Sequence, residues 1–232
     1  MQVNSVYNNS ISNIKSIVVG IYRPNPEETQ QHIGLIYFDG EKQSILHQRW
    51  HCLPLKDNVD EKYLWLDISL DDINKLHLAA FCEAIHQKNP EGIPYGIGVD
   101  GFFSSEGKFE SNEDYAGFTC ATFVMQVFHS QGFKIIDLDK WKPRKTDKNW
   151  QMYILLKLEK WAKDNNIFEK IKDHISFQRK KAEAKIARFK PEEVAVAAYL
   201  PSPPHGSDDV KKQASTLLNH LTEHTKRLNK NK

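Results

Sequence analysis

Of the three cysteines in this chain, Cys52, Cys82 and Cys120, one stands where a nucleophile would be placed. Cys120 lies near the start of Phe118-Thr-Cys-Ala-Thr-Phe-Val-Met-Gln-Val-Phe128, a run that is apolar nearly all round and is closed by Gly132. Such a run predicts a helix with neighbours on every side. A helix start presents unpaired N–H groups and about half a positive charge, and both favour a thiolate over a thiol. The competing reading is a small buried hydrophobe, the usual job of a free cysteine. Cys52 and Cys82 have no comparable setting and are expected to be packing residues. The three form no C-x-x-C pair and leave an odd thiol, so neither a disulfide framework nor a thiolate zinc site is expected.

A cysteine nucleophile needs a base, and the base needs an orienting group. Ten histidines offer too many choices by count, but position narrows them. His32 opens a short strand, with Gly34 on the same face leaving space beside the imidazole. His47 and His51, four apart on the following strand, share a face. Four residues of strand span about 13 Å, so the two are not expected to share a metal ion. A tight return at Asp39-Gly40 sets His32 opposite His47 and leaves His51 farther along. His47 is therefore the first choice for the orienting group; a bulge in the hairpin would hand that place to His51.

Several elements must position these residues. Ile17 to Tyr22, Ile33 to Phe38, Ser44 to Cys52 and Tyr63 to Ile68 read as strands, being short, β-branched and bounded by turn residues. Leu70 to Gln87 has helical periodicity, with Asp71 and Asp72 in its first turn. A long Gly- and Pro-rich loop runs from Asn89 to Gly117, of the kind that serves as a lid or binding loop. After the Cys120 helix, Phe133 to Leu138 reads as a last strand.

The order of these pieces resembles the circularly permuted papain-like hydrolases of the NlpC type, the group that includes the lecithin retinol acyltransferase-like enzymes. The matching residues are His32-Ile33-Gly34, Asp39-Gly40, His47, Gly92-Ile-Pro-Tyr95 and Gly117-Phe-Thr-Cys120-Ala-Thr-Phe-Val124, within residues 15 to 138. The resemblance implies an α+β fold with an antiparallel sheet packed on a buried nucleophile helix. It also implies Cys120 as nucleophile, His32 as general base, His47 as the orienting residue and Tyr95 as a group beside the oxyanion, with no cofactor or metal. Two departures stand out: the hairpin between His32 and His47 is a few residues longer than in the acyltransferase-like members, and the acidic or polar residue usual after the nucleophile is Ala121 here.

The chain carries 32 Lys and Arg against 30 Asp and Glu in 232 residues, and the near-balance hides a division. Residues 1 to 150 hold 15 basic against 20 acidic residues, residues 151 to 232 hold 17 against 10. Trp150 to Lys163 reads as one helix, and Ile167, Ile171, Ile175, Ala182, Ile186 and Phe189 trace a second, lysine-rich one. Its charges Lys170, Lys172, Arg179, Lys180, Lys181, Lys185 and Arg188 would suit phosphate, an anionic lipid surface or an acidic polymer, or simply form a solvated face. Aromatic residues are not interleaved with them, so nucleic acid is not an expected partner. Pro201 to Gly206 reads as a tether, followed by a helix with Ser207 as N-cap. The stripe Val210, Ala214, Leu217, Leu221 and Leu228 of that helix wants another helix beside it, in this chain or in a protein partner.

The expected organisation is thus a papain-like domain at residues 1–145, a basic helical extension at 146–190, a Pro-rich linker at 191–206 and an amphipathic helix at 207–232. The expected activity is cleavage of an amide in a peptide, an isopeptide or a peptidoglycan stem. Lipid acyl hydrolysis or transfer through the same thiol is the alternative within enzymes, and a binding module that kept the shape without turnover is the alternative outside them. No apolar run approaches the roughly 20 residues of a membrane span. The N-terminus has no signal-peptide pattern, so a cytoplasmic protein is expected, or one exported by a machine that needs no such signal.

Overall fold

The β-branched run Ile17–Tyr22 (β1) lies at the heart of a five-stranded antiparallel sheet, in a computed structural model that describes residues 1–24 and 30–230. The other strands are His32–Phe38 (β2), Gln43–Leu46 (β3), Lys56–Asn58 (β4) and Leu64–Asp67 (β5), in the order β4-β3-β2-β1-β5. Alternation along the strands separates two apolar faces. Ile17, Val19, Ile21, Ile33, Leu35 and Tyr37 face the main core, while Val18, Ile36, Ile45, Tyr63 and Trp65 face a smaller cluster capped by Val6, Ile11 and Ile14.

Six helices complete the α+β fold of the described residues: Asp72–Lys88 (α1), Cys120–Ser130 (α2), Asp147–Asp164 (α3), Phe168–Glu183 (α4), Pro191–Tyr199 (α5) and Ser207–Lys230 (α6). Helices α1, α2 and α5 pack on the core face of the sheet. Helices α3 and α4 form a second core in which Ile154, Leu155, Leu158 and Ile175 close over Tyr95 and Ile97. No helix among the described residues is long and apolar enough to cross a membrane.

Several sequence expectations change in the folded chain. The strand expected to run to Cys52 ends at Leu46, because the chain leaves the sheet to form a turn docked on the Ile93 carbonyl. The buried Gln48 amide and the Cys52 N–H both donate to that carbonyl, at 2.7 and 3.0 Å. The expected loop from Asn89 to Gly117 contains a small hairpin, Gly101–Phe103 (β6) with Phe109–Ser111 (β7). Phe133 to Leu138 is not a strand: one isolated bridge joins Ile136 to His205 before a 3-10 turn at Leu138–Lys140. Gly206 lets the chain enter α6 directly after His205, so there is no length left to extend that pairing.

The lysine-rich helix ends at Glu183 and not near Phe189, because Lys185 takes a left-handed conformation (φ 57°) and the chain reverses. Phe189 then packs against Trp141 in the main core, 5.3 Å between rings, rather than on the α4 stripe. Pro191 opens a helix at N1, where its missing N–H is harmless, so the expected linker at 191–206 is a helix for its first half. In α5, Val194, Ala195, Val196 and Ala197 are fully buried against the sheet and α2. The stripe of α6 packs on α5, with Val210, Leu217 and Leu221 fully buried. It is therefore covered by this chain's own helix, and α6 is part of the core rather than a tethered appendage. Ser207 is the first helical residue, its hydroxyl donating to the Lys140 carbonyl, and the Asp209 carboxylate accepts from the Gly206 N–H.

Candidate active site

Cys120 is the first residue of α2, placed there by a reciprocal cap: Thr119 Oγ1 accepts from the Thr122 N–H at 3.1 Å and the Thr119 N–H donates to Thr122 Oγ1 at 2.9 Å. The segment before it is held by glycine packing. Gly96 and Gly117 lie backbone to backbone, so that a Cβ on Gly117 would fall 2.3 Å from the Pro94 carbonyl oxygen. The Phe118 N–H donates to that same oxygen at 3.0 Å. The two glycine-containing segments of the sequence thus meet, and Tyr95 lies in the wall of a cleft over Cys120 together with Gln31, Trp150 and Arg188.

The sheet supplies the second half. The Phe38 N–H bonds to the Ser16 carbonyl, so in β2 the even-numbered residues bond to β1 and the odd-numbered ones turn their N–H groups toward β3. Since β3 ends at Leu46, opposite Leu35, the Ile33 N–H has no strand partner. The N–H groups of Ile33, Ala121 and Cys120 itself all favour the Cys120 thiolate, as does the Arg188 charge. Burial outweighs them and pushes the thiol up to about 11. Cys120 remains partly exposed, whereas Cys82 is buried and Cys52 sits exposed on a turn with φ 50°.

His32, one residue from Ile33, projects on the face opposite α2 and places Nε2 3.0 Å from His47 Nδ1. Its ring also meets Tyr22, 5.4 Å between centroids. The expected register differs by two residues, because the hairpin loop is Asp39 to Lys42 rather than a two-residue turn. Asp39 organises it by accepting from the Glu41 and Lys42 N–H groups at 3.0 and 2.9 Å. His47 therefore follows on opposite Gly34 and reaches His32 diagonally. Gly34 makes the approach possible, since a Cβ there would fall 2.8 Å from His47 Cβ. Tyr63 Oη lies 3.4 Å from His47 Nδ1, and His47 Nε2 is buried with no hydrogen-bond partner. The only side-chain hydrogen bond of His32 among the described residues is the one to His47.

Both imidazoles are held neutral. Burial drives His32 well below the usual histidine range, with His47, Lys62 and Arg49 acting in the same direction. Burial likewise lowers His47 to about 3, helped by Arg49 and Lys62.

His51 belongs elsewhere. Its Nδ1 accepts from the Tyr95 N–H at 3.2 Å, while His174 Nε2 donates to the Tyr95 carbonyl at 2.7 Å. These two rings grip the backbone that carries Tyr95, and neither reaches His32. The Tyr95 ring packs on Trp50 at 4.7 Å, and burial raises its hydroxyl above the usual tyrosine range.

Sequence reasoning missed Gln31, Trp150 and Arg188 as walls of the cleft. Gln31 had a usable signal, its place next to His32; Arg188 had none, since periodicity put it on a solvated helix. Three of the six other charges of that segment are paired: Lys172 with Glu169 at 2.8 Å, Arg179 with Glu159, and Lys181 with Asp100 and Glu113. No group of three or more His, Cys, Asp or Glu side chains among the described residues is arranged to hold a metal ion. A cavity of about 400 Å³ lies away from Cys120, between Met125, His129, Ile136 and Pro204.

Comparison with known proteins finds no matching family model, no matching curated protein and no matching solved structure.

Proposed function

We propose that this protein is a cysteine hydrolase of permuted papain-like design, with Cys120 as nucleophile, His32 as general base, His47 as the residue that orients the base, and Tyr95 beside the oxyanion. The observation that carries the reading is the His32–His47 hydrogen bond of 3.0 Å at the end of β2 whose Ile33 N–H favours the thiolate of the helix-start Cys120.

His32 projects on the face of β2 opposite α2 and forms no hydrogen bond with Cys120 among the described residues, so to accept the thiol proton its ring must come within reach of the sulfur with Nδ1 bare and Nε2 donating to His47 Nδ1. His47 then holds its own proton on Nε2, the buried atom without a partner. The raised thiol and lowered imidazole keep the resting pair neutral rather than ionic. Proton transfer to His32 accordingly accompanies attack of sulfur on the acyl carbon. N–H groups at the start of α2, with the Tyr95 hydroxyl, face the developing oxyanion. The protonated His32 returns its proton to the leaving amine, and water taken up by the same base releases the acyl group from the thioester.

An amide in a peptide, isopeptide or peptidoglycan stem is the preferred substrate class, with lipid esters using the same steps. A second reading, a papain-like binding module without turnover, draws on one observation: Lys62 and Arg49 both disfavour the imidazolium that the reaction must form. Parallel incubation with peptidoglycan, ubiquitin-like conjugates and phospholipid, read by mass spectrometry against Cys120→Ala, separates these readings. Products that require Cys120 support the hydrolase. No product from any of the three, together with slow alkylation of Cys120, supports the module.

A further inference from the structure

The cleft over Cys120 is tight, about 10 Å³, so a ligand enters it by displacing the half-exposed Trp150 and Arg188 side chains, and it contains two hydrogen-bond donors that the protein itself leaves unused. Gln31 is 3% exposed, and its side-chain amide nitrogen has no partner. The Arg188 guanidinium lies 3.7 Å over the Trp150 ring, is half-buried, and its buried Nε is likewise unpaired. Among the described residues no side-chain hydrogen bond or ion pair of Arg188 is formed, although two carboxylates are close enough to be felt. One of them, Asp147, is already engaged by Arg144 and by the Arg188 backbone N–H at 3.1 Å. The other, Glu192, is itself buried, has an oxygen without a partner, and is shifted toward its neutral form by that burial.

A buried donor left unpaired is costly, and a buried charge without a partner is more so. Stacking on Trp150 offsets part of this for Arg188 but gives its N–H groups no acceptor. A planar anion does. The guanidinium fork matches the two oxygens of a carboxylate, and an adjacent primary amide can donate to one of the same oxygens. One cation and one amide balance a single negative charge rather than the nearly double charge of a phosphate monoester.

We propose that the Cys120 cleft selects acyl substrates bearing a free carboxylate next to the scissile bond, held by Arg188 and Gln31. This rests on the reading of Cys120 as the nucleophile and narrows its substrate class. Amides beside a chain-terminal or side-chain carboxylate fit; interior peptide bonds flanked by neutral residues and neutral lipid esters do not. It also assigns a role to the helical extension, since Trp150 comes from α3 and Arg188 from the return after α4.

The test compares two alkylators of similar size, iodoacetate and iodoacetamide, on the full-length protein. In each, the Cys120 sulfur displaces iodide as its proton leaves, and only iodoacetate carries a carboxylate. Rates at Cys120 are read by peptide mapping, with the same residue in the urea-unfolded chain as reference. The expected iodoacetate-to-iodoacetamide ratio is at least 10-fold higher in the folded protein than in the unfolded chain. Arg188→Gln is expected to return it to the unfolded value, and Arg188→Lys to keep part of the gain. Rapid labelling of folded Cys120 with no gain in the ratio overturns the carboxylate site and leaves the nucleophile standing. Failure of both reagents to label folded Cys120, while the unfolded chain reacts, overturns the nucleophile reading and the carboxylate site with it. The wild-type comparison alone decides the matter if the variants do not fold.

Discussion

Two histidine pairs of nearly identical geometry occupy this molecule. His32 and His47 have ring centroids 5.0 Å apart at 75°, and His51 and His174 have theirs 4.9 Å apart at 67°. All four rings are depressed below the usual histidine range, burial being the main cause. The difference lies in what the nitrogens touch. His51 and His174 face the N–H and C=O of one residue, Tyr95, and hold a loop in place. His32 and His47 face each other, at the end of β2 whose Ile33 N–H favours the Cys120 thiolate. A buried imidazole pair is therefore no signature of catalysis by itself. A pair that keeps a nitrogen free has the means to move a proton, which is the role proposed for His32 and His47.

The largest effect tests the premise of that contrast. With p-nitrophenyl acetate as acyl donor, Cys120→Ala is expected to lower p-nitrophenolate release at least 1,000-fold, about 4 kcal/mol in the barrier. Unchanged release would remove the nucleophile and leave both pairs structural. His32→Gln is expected to cost about 100-fold in the same assay, roughly 2.7 kcal/mol, with the fold retained. His47→Ala is expected to cost about 10-fold, roughly 1.4 kcal/mol, because the base stays but loses its orientation.

The other pair is expected to show the reverse. His51→Ala leaves the buried Tyr95 N–H without an acceptor, so urea unfolding should show a loss of about 1–3 kcal/mol while release changes less than 3-fold. Equal effects of His47→Ala and His51→Ala on both measurements would erase the distinction drawn here.

The smallest effect is on pH. For a histidine with a lowered folded-state value, the unfolded chain binds the proton first, so stability is complete above about 6.5 and falls with decreasing pH. The window extends toward about 3 for His47 and about 4 for His51. Each group contributes a slope of at most about 1.4 kcal/mol per pH unit inside its window. Thermal unfolding between pH 7 and 4 should therefore show a falling Tm, with a shallower fall in His47→Gln. The same low values keep His32 neutral, so ester cleavage is expected to hold steady from pH 8 to 5; a sharp loss near pH 6.5 would mean that His32 is not buried as described.

The elements nearest the site were the most legible. The β1 and β2 runs, the apolar helix beginning at Cys120, and Gly34 beside His32 all stand in the structure as local pattern implies. The His32–His47 contact also formed, but by a diagonal reach rather than by the direct pairing that a two-residue turn would give. The longer loop followed from Asp39 accepting two backbone N–H groups, a local bond that overrides the preference of Asp-Gly for a tight turn. Past residue 183 the pattern misled. Ile186 and Phe189 continue the α4 periodicity, yet Phe189 serves a different core.

By itself the sequence determined which segments bury an apolar side and that one cysteine opens a buried helix. These follow from periodicity and capping, which act within a few residues. Only the tertiary structure decided which histidine reaches His32, that α5 and α6 form a wall of the core, and that Gln31, Trp150 and Arg188 meet above Cys120. The reason is range. Those contacts join residues far apart in the chain, and their partners are chosen by competition for the same buried surface, which no local window records.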